Sequence, residues 1–112
     1  MSAVAAGDNP EAALAARYDA SVATPQGAAY QQQWRQVVNA HFGALLKCFP
    51  PGHPTLDLVI YFEISIDGIV GASSVSPKGD SGDCAIAEIR KIRFPAAPPD
   101  FVGKFALLVP GK

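Results

Sequence analysis

From Leu56 to Asp67 the chain alternates without a break, with Leu56, Leu58, Ile60, Phe62, Ile64 and Ile66 on one side and Asp57, Val59, Tyr61, Glu63, Ser65 and Asp67 on the other. Side chains in a strand point to opposite faces in turn, so one face here is wholly aliphatic or aromatic and the other is mixed. That is the pattern of a sheet covered on one side. Asp67-Gly68 supplies the dipeptide of a type I′ hairpin turn, and Ile69–Val75 returns as a second strand.

A sheet of this kind needs a partner layer, and the residues before it provide one. Tyr30, Trp34, Val37, Val38, Phe42, Leu45 and Leu46 recur at helical spacing, with Gln31, Gln32, Arg35, Gln36 and Asn39 on the other side. This predicts an amphipathic helix of about 18 residues, ended by Phe49-Pro50-Pro51-Gly52. After the hairpin, Ser76–Gly82 reads as a polar loop and Ser81 or Asp83 as the cap of a second helix, whose buried stripe is Ala85, Ile89 and Ile92. Phe94-Pro95-Ala96-Ala97-Pro98-Pro99 is an extended, stiff connection to a last strand marked by Phe105, Leu107 and Val109. The fold class that follows is α+β: two main helices on one face of a small three-stranded antiparallel sheet, in the order α-β-β-α-β. Residues 1–29 form an Ala-rich segment with a short extra helix, Asn9 as its cap and Pro10 at its first position, running from Glu11 to about Tyr18 and loosely attached. Residues 30–112 form the single domain.

Composition narrows the function. At 112 residues with a net charge of −1, the chain carries no electrostatic footprint for nucleic acid or an anionic membrane. No stretch reaches the ~20 apolar residues a membrane span needs. Met1–Ala6 lacks the basic flank and apolar core of a leader. The chain is therefore cytosolic, or matures after a leader is removed, and the cysteines favour the second. Following chain direction through the fold brings Cys48, at the end of the long helix, to the same end of the molecule as Cys84, at the start of the next. The two sulfurs are then within bridging reach, and closing this loop contributes roughly 3–4 kcal/mol. The alternative is two buried free thiols. A bridge implies maturation in the periplasm or outside the cell, and the periplasm is the compartment expected here.

Several residues look like chemistry. Gly79-Asp80-Ser81-Gly82 is reminiscent of a serine-protease nucleophile segment, but a nucleophile needs a positioned base and an oxyanion hole. His41 lies on a helix and His53 in a Pro-rich loop, with no protease signature around either. Cys48, Cys84, His41 and His53 lack the paired spacing of zinc ligands. Asp57, Glu63 and Asp67 read as a wet strand face. No cofactor and no catalytic residue is expected.

Two resemblances follow. The run Leu58-Val59-Ile60-Tyr61-Phe62-Glu63-Ile64-Ser65-Ile66-Asp67-Gly68-Ile69-Val70, with the helix closing in Ile92-Arg93-Phe94-Pro95, is similar over residues 45–109 to the C-terminal domain of TonB-like energy transducers. Phe49-Pro50 stands where that family has Tyr-Pro, and the chain holds no anchor or Pro-rich spacer, so membership implies a fragment that engages a membrane receptor by strand addition. Size, compartment and the glycine-rich loop also resemble small periplasmic immunity proteins that protect against cell-wall amidases injected by type VI secretion. This resemblance implies a non-catalytic inhibitor whose loop Lys78, Gly79, Asp80, Ser81, Gly82 and Asp83 enters the amidase cleft, with Ser81 near the tip. An exposed edge strand also allows a homodimer.

Overall fold

The computed structural model describes residues 10–49, 52 and 55–110. Its elements are α1 (Pro10–Val22), α2 (Pro25–Ala40), α3 (Phe42–Leu46), β1 (Leu56–Ile64), β2 (Val70–Ser76), α4 (Asp80–Arg90) and β3 (Phe101–Val109). The sheet is antiparallel with order β2-β1-β3, so the alternating strand is central, and the α+β architecture stands.

β1 buries Leu58, Ile60, Phe62 and Ile64 on one face, where α2 and α4 supply the cover. Trp34 is completely excluded from solvent and meets Phe62, Phe94 and Phe105 at centroid distances of 4.8, 6.2 and 6.2 Å. It sits directly on Gly103, where an added Cβ would lie 2.5 Å from the indole. The strand is thus glycine where the largest side chain of the core needs the space. The indole N–H donates to Gln31 Oε1 at 2.8 Å, and Gln31 Nε2 donates to the Lys104 carbonyl at 2.9 Å. Gln31, placed on the polar side by periodicity, is therefore buried, because its amide serves the tryptophan and the strand together.

The long helix is interrupted. His41 N–H bonds the Val38 carbonyl, while its ring Nδ1 lies 2.9 Å from the Val37 carbonyl that an unbroken helix would have used. The axis restarts at Phe42, Leu45 is buried, and Leu46 turns outward. At its other end α2 begins at Pro25, where Thr24 caps it by accepting the Gly27 N–H at 3.0 Å. Pro25, read from sequence as an interruption, is a helix start.

Two further expectations are corrected. A type I′ turn needs positive φ at both central residues, yet only Gly68 has it here, at +82°. The loop spans Ser65–Ile69: Gly68 N–H donates to Ser65 O, and Ser65 Oγ accepts from Asp67 and Ile69 N–H. Gly68 is required twice, because its Cβ would also collide with the Phe94 carbonyl, whose own residue's N–H bonds Gly68 O at 3.0 Å. In β2 a bulge sets Gly71 and Ala72 opposite Glu63, which shifts the parity and brings both Val70 and Val75 to the core.

The N-terminal helix differs most from expectation. It runs on to Val22 and packs against the mixed face of the sheet, opposite α2. Tyr18 meets Tyr61 edge-on at 6.0 Å, Arg17 pairs with Glu63 at 2.9 Å, and Ser21 Oγ accepts the Val102 N–H at 3.1 Å. Leu14, on the same stripe of the helix, is buried. Its cap, Asn9, lies outside the described residues. Among the described residues no helix is long and apolar enough to cross a membrane.

Candidate functional site

One end of the sheet carries the cysteines. Cys48 follows α3 and Cys84 comes directly after the first turn of α4; they form a disulfide with a Cα separation of 5.5 Å. Cys48 and Cys84 thus lie together at one end of the molecule, as chain direction requires. The bridge closes 36 residues of chain and ties the α2–α3 arm to the helix that follows the projecting segment.

That segment is shorter than the sequence implied. Lys78 and Gly79 precede α4, whereas Asp80, Ser81, Gly82 and Asp83 form its first turn. The cap position is Gly79, with no side-chain cap bond, so neither Ser81 nor Asp83 caps the helix. Asp80 and Asp83 instead place negative charge at the positive end of the helix dipole. Lys78, Gly79, Asp80 and Asp83 are exposed, Ser81 is half-buried, and Gly82 is buried against Val75, both of whose γ-methyls would lie 3.0 Å from an added Cβ. The smallness of Gly82 therefore serves packing, not a partner's approach. A shallow depression lies beside the segment, walled by Leu56, Leu58 and Pro77.

The opposite end presents a surface that strand periodicity hid. Ile66 and Ile69, read as strand residues, flank the turn and are 60% and 51% exposed. The bonds through Ser65, Gly68 and Phe94 hold the tip that carries them. A groove beside it is lined by Arg17, Glu63, Pro99 and Asp100. The signal available in the sequence was the isoleucine on either side of Asp67-Gly68, where hairpin tips are usually polar.

The remaining candidates do not assemble. Cys48 and Cys84 are bridged, His41 caps a helix break, and His53 lies outside the described residues. Among the described residues no group of three His, Cys, Asp or Glu is placed to hold a metal ion. Of the three strand carboxylates, Glu63 is paired with Arg17, Asp57 is exposed, and Asp67 sits in the turn. The shifted phenol is Tyr30, which burial pushes up to about 12; its hydroxyl donates to the Pro95 carbonyl at 2.5 Å and ties α2 to the Pro-rich connection. No family model matches the chain, and no curated protein or solved structure is significantly similar to it.

Proposed function

We propose that this domain is a non-catalytic, periplasmic inhibitor of the immunity type, directed at a cell-wall amidase delivered by type VI secretion. The supporting observation is the disulfide behind the Lys78–Ser81 segment. An inhibitor gains affinity when the inserted segment is ordered before binding, because little entropy is then lost on association. Cys84 lies three residues after Ser81 and is bonded across to Cys48, so the base of the segment is fixed covalently. In this reading the exposed Lys78, Gly79 and Asp80 enter the cleft, and the Ser81 hydroxyl hydrogen-bonds a catalytic Cys or His there. Asp83 contributes charge at the rim. Gly82 is a packing residue and is not part of the contact.

The test uses the oxidised domain as bait for periplasmic and secreted proteins, followed by assay of what is retained. The expected partner is a small Cys/His hydrolase whose cleavage of peptidoglycan stops at one equivalent of the domain and resumes with Ser81→Trp. Retention of an outer-membrane barrel or an inner-membrane motor protein rejects the inhibitor and favours the second reading, a TonB-like receptor-engaging domain. That reading draws on the exposed strand edges of the three-stranded sheet.

A further inference from the structure

Among the described residues, the outer edge of β3 is closed along half its length and open along the rest. Ser21 Oγ accepts the Val102 N–H, and Gln31 Nε2 donates to the Lys104 carbonyl. These backbone groups therefore point away from β1. In an antiparallel ladder every second residue faces the same neighbour, so Ala106 and Leu108 aim their N–H and C=O groups at this same edge. The hairpin agrees independently: Ser65 N–H bonds Ile69 O, which turns the odd residues of β1 toward β2 and its even residues toward β3. Ser21 and Gln31 thus shield the edge as far as Lys104. Beyond it Ala106 is exposed and Leu108, at 66%, is the most exposed large apolar side chain described.

Natural edge strands are blunted by charges, prolines or bulges. β2 has its bulge at Gly71–Ala72. Phe105-Ala106-Leu107-Leu108-Val109 has none of these devices within it. Lys104, the nearest charge along the strand, holds its ammonium 5.9 and 5.8 Å from the rings of Tyr18 and Tyr61, over the α1 face. Asp57, opposite Leu108 in the register, is on β1, on the side of β3 away from the open edge.

We propose that Phe105–Val109 is a self-association edge on which a second copy of this chain pairs antiparallel, with the two-fold axis at Leu107. The register follows from the stops. The α1–α2 hairpin blocks a pairing strand before Phe105, and Pro110, which has no N–H, ends the ladder after Val109. The midpoint of the open stretch is Leu107. About that axis Ala106 faces the second copy's Leu108, and Leu108 faces its Ala106, so each outward-pointing residue exchanges both backbone bonds with its opposite. On the outer face a large side chain then lies beside a small one, twice. Self-complementarity of this kind is what a two-fold interface requires, and it favours a second copy over an unrelated strand. The product is a six-stranded sheet. With so short a ladder the dimer is weak, at the small end of specific interfaces.

Sedimentation velocity from micromolar to millimolar protein, with amide exchange measured at both limits, tests this. The expected result is a monomer–dimer equilibrium in which the Ala106 and Leu108 amides gain protection with concentration, while that of Val102, already bonded to Ser21, does not change. Leu108→Lys, at an exposed position, leaves the melting temperature unchanged and raises the dimer Kd by about tenfold or more. Ala106→Leu, which sets large against large, weakens it as well. A monomer at every concentration overturns the proposal, as does a dimer indifferent to Leu108→Lys. Edge amides protected only when a different extended peptide is added would assign the edge to a partner strand, and overturn it too.

Discussion

On the face carrying Leu58, Ile60, Phe62 and Ile64, the sheet is closed by α2 and α4 around Trp34, and the two arms of that layer are joined by a disulfide. On the face carrying Tyr61, Glu63 and Lys104, a single helix lies across the sheet with one buried leucine, a ring contact, a half-exposed ion pair and a hydroxyl cap. The first face is apolar surface removed from water, and its contribution scales with area. Leu14 apart, the second is built from polar and amphipathic contacts, each worth about 1 kcal/mol or less in water. A sheet of three strands therefore has one face that holds the fold and another that decides which parts of the edge and surface remain open.

The division is tested most severely at Trp34. Trp34→Ala removes the centre of the inner layer and should cost about 3–5 kcal/mol, comparable with the whole stability of a small domain. Thermal unfolding followed by circular dichroism should lose its cooperativity; a variant that melts sharply near the parent temperature would show that the inner face is not the foundation. Replacing Cys48 and Cys84 together by serine should cost about 4 kcal/mol for a loop of 36 residues and lower the melting temperature by roughly 15–30 °C. The parent domain in strong reductant should show the same loss.

Leu14→Ala probes the outer face. The expected cost is about 2–3 kcal/mol, but its signature is local. Amides of residues 11–22 and of Val102 should exchange faster while those of Ile60 and Phe62 are unaffected, because α1 can leave without opening the inner core. Uniform acceleration across the sheet would mean that the two faces unfold as one unit. Tyr30 lies at the margin between the layers and gives the pH dependence. Its phenol titrates at about 12 when folded against about 10 unfolded, because burial disfavours the phenolate. Its contribution is complete below pH 10 and is lost as pH rises from 10 to 12, by at most roughly 3 kcal/mol. Denaturant titrations of Tyr30→Phe should show a flatter profile over that window than the parent.

The inner face was legible because one period runs through it. Leu56 to Ile64 and Trp34 to Leu45 each carry a stripe that only one secondary structure can bury, and chain direction alone brought Cys48 to Cys84. The outer face was less legible, since its stripe on α1, namely Leu14, Arg17, Tyr18 and Ser21, contains one aliphatic residue. Periodicity detects apolar burial, and a helix attached by a ring edge, an ion pair and a hydroxyl gives it little to count. The same reason hid Gln31. The turn was misassigned because Asp67-Gly68 fits both a two-residue loop and a longer one, and the choice was made by Ser65, whose hydroxyl collects two N–H groups. The bulge at Gly71 was invisible until the register showed why Val70 and Val75, five apart, share a face. In the Lys78–Asp83 segment, read from sequence as loop, Asp80 to Asp83 are helical, and Gly82 packs on Val75, since a glycine that admits a partner and one that admits a neighbouring valine look alike in sequence.

The smallest effect is the most informative about the outer face. Arg17 and Glu63 are joined at 2.9 Å with both side chains nearly two-fifths exposed, and Glu63 also accepts the Ala72 N–H at 3.5 Å, across the bulge. Exposed pairs of this kind contribute about 0–1 kcal/mol and are screened by salt. Arg17→Ala should therefore shift stability by less than about 1 kcal/mol, and the shift should shrink in high salt. Glu63→Ala should cost somewhat more, because it also removes an acceptor from the bulged strand. If Arg17→Ala instead proves as damaging as Leu14→Ala, with the same local pattern of exchange, the pair and not the leucine is what fastens α1. The outer face would then be an electrostatic layer, and its attachment would weaken with ionic strength while the inner face stayed closed.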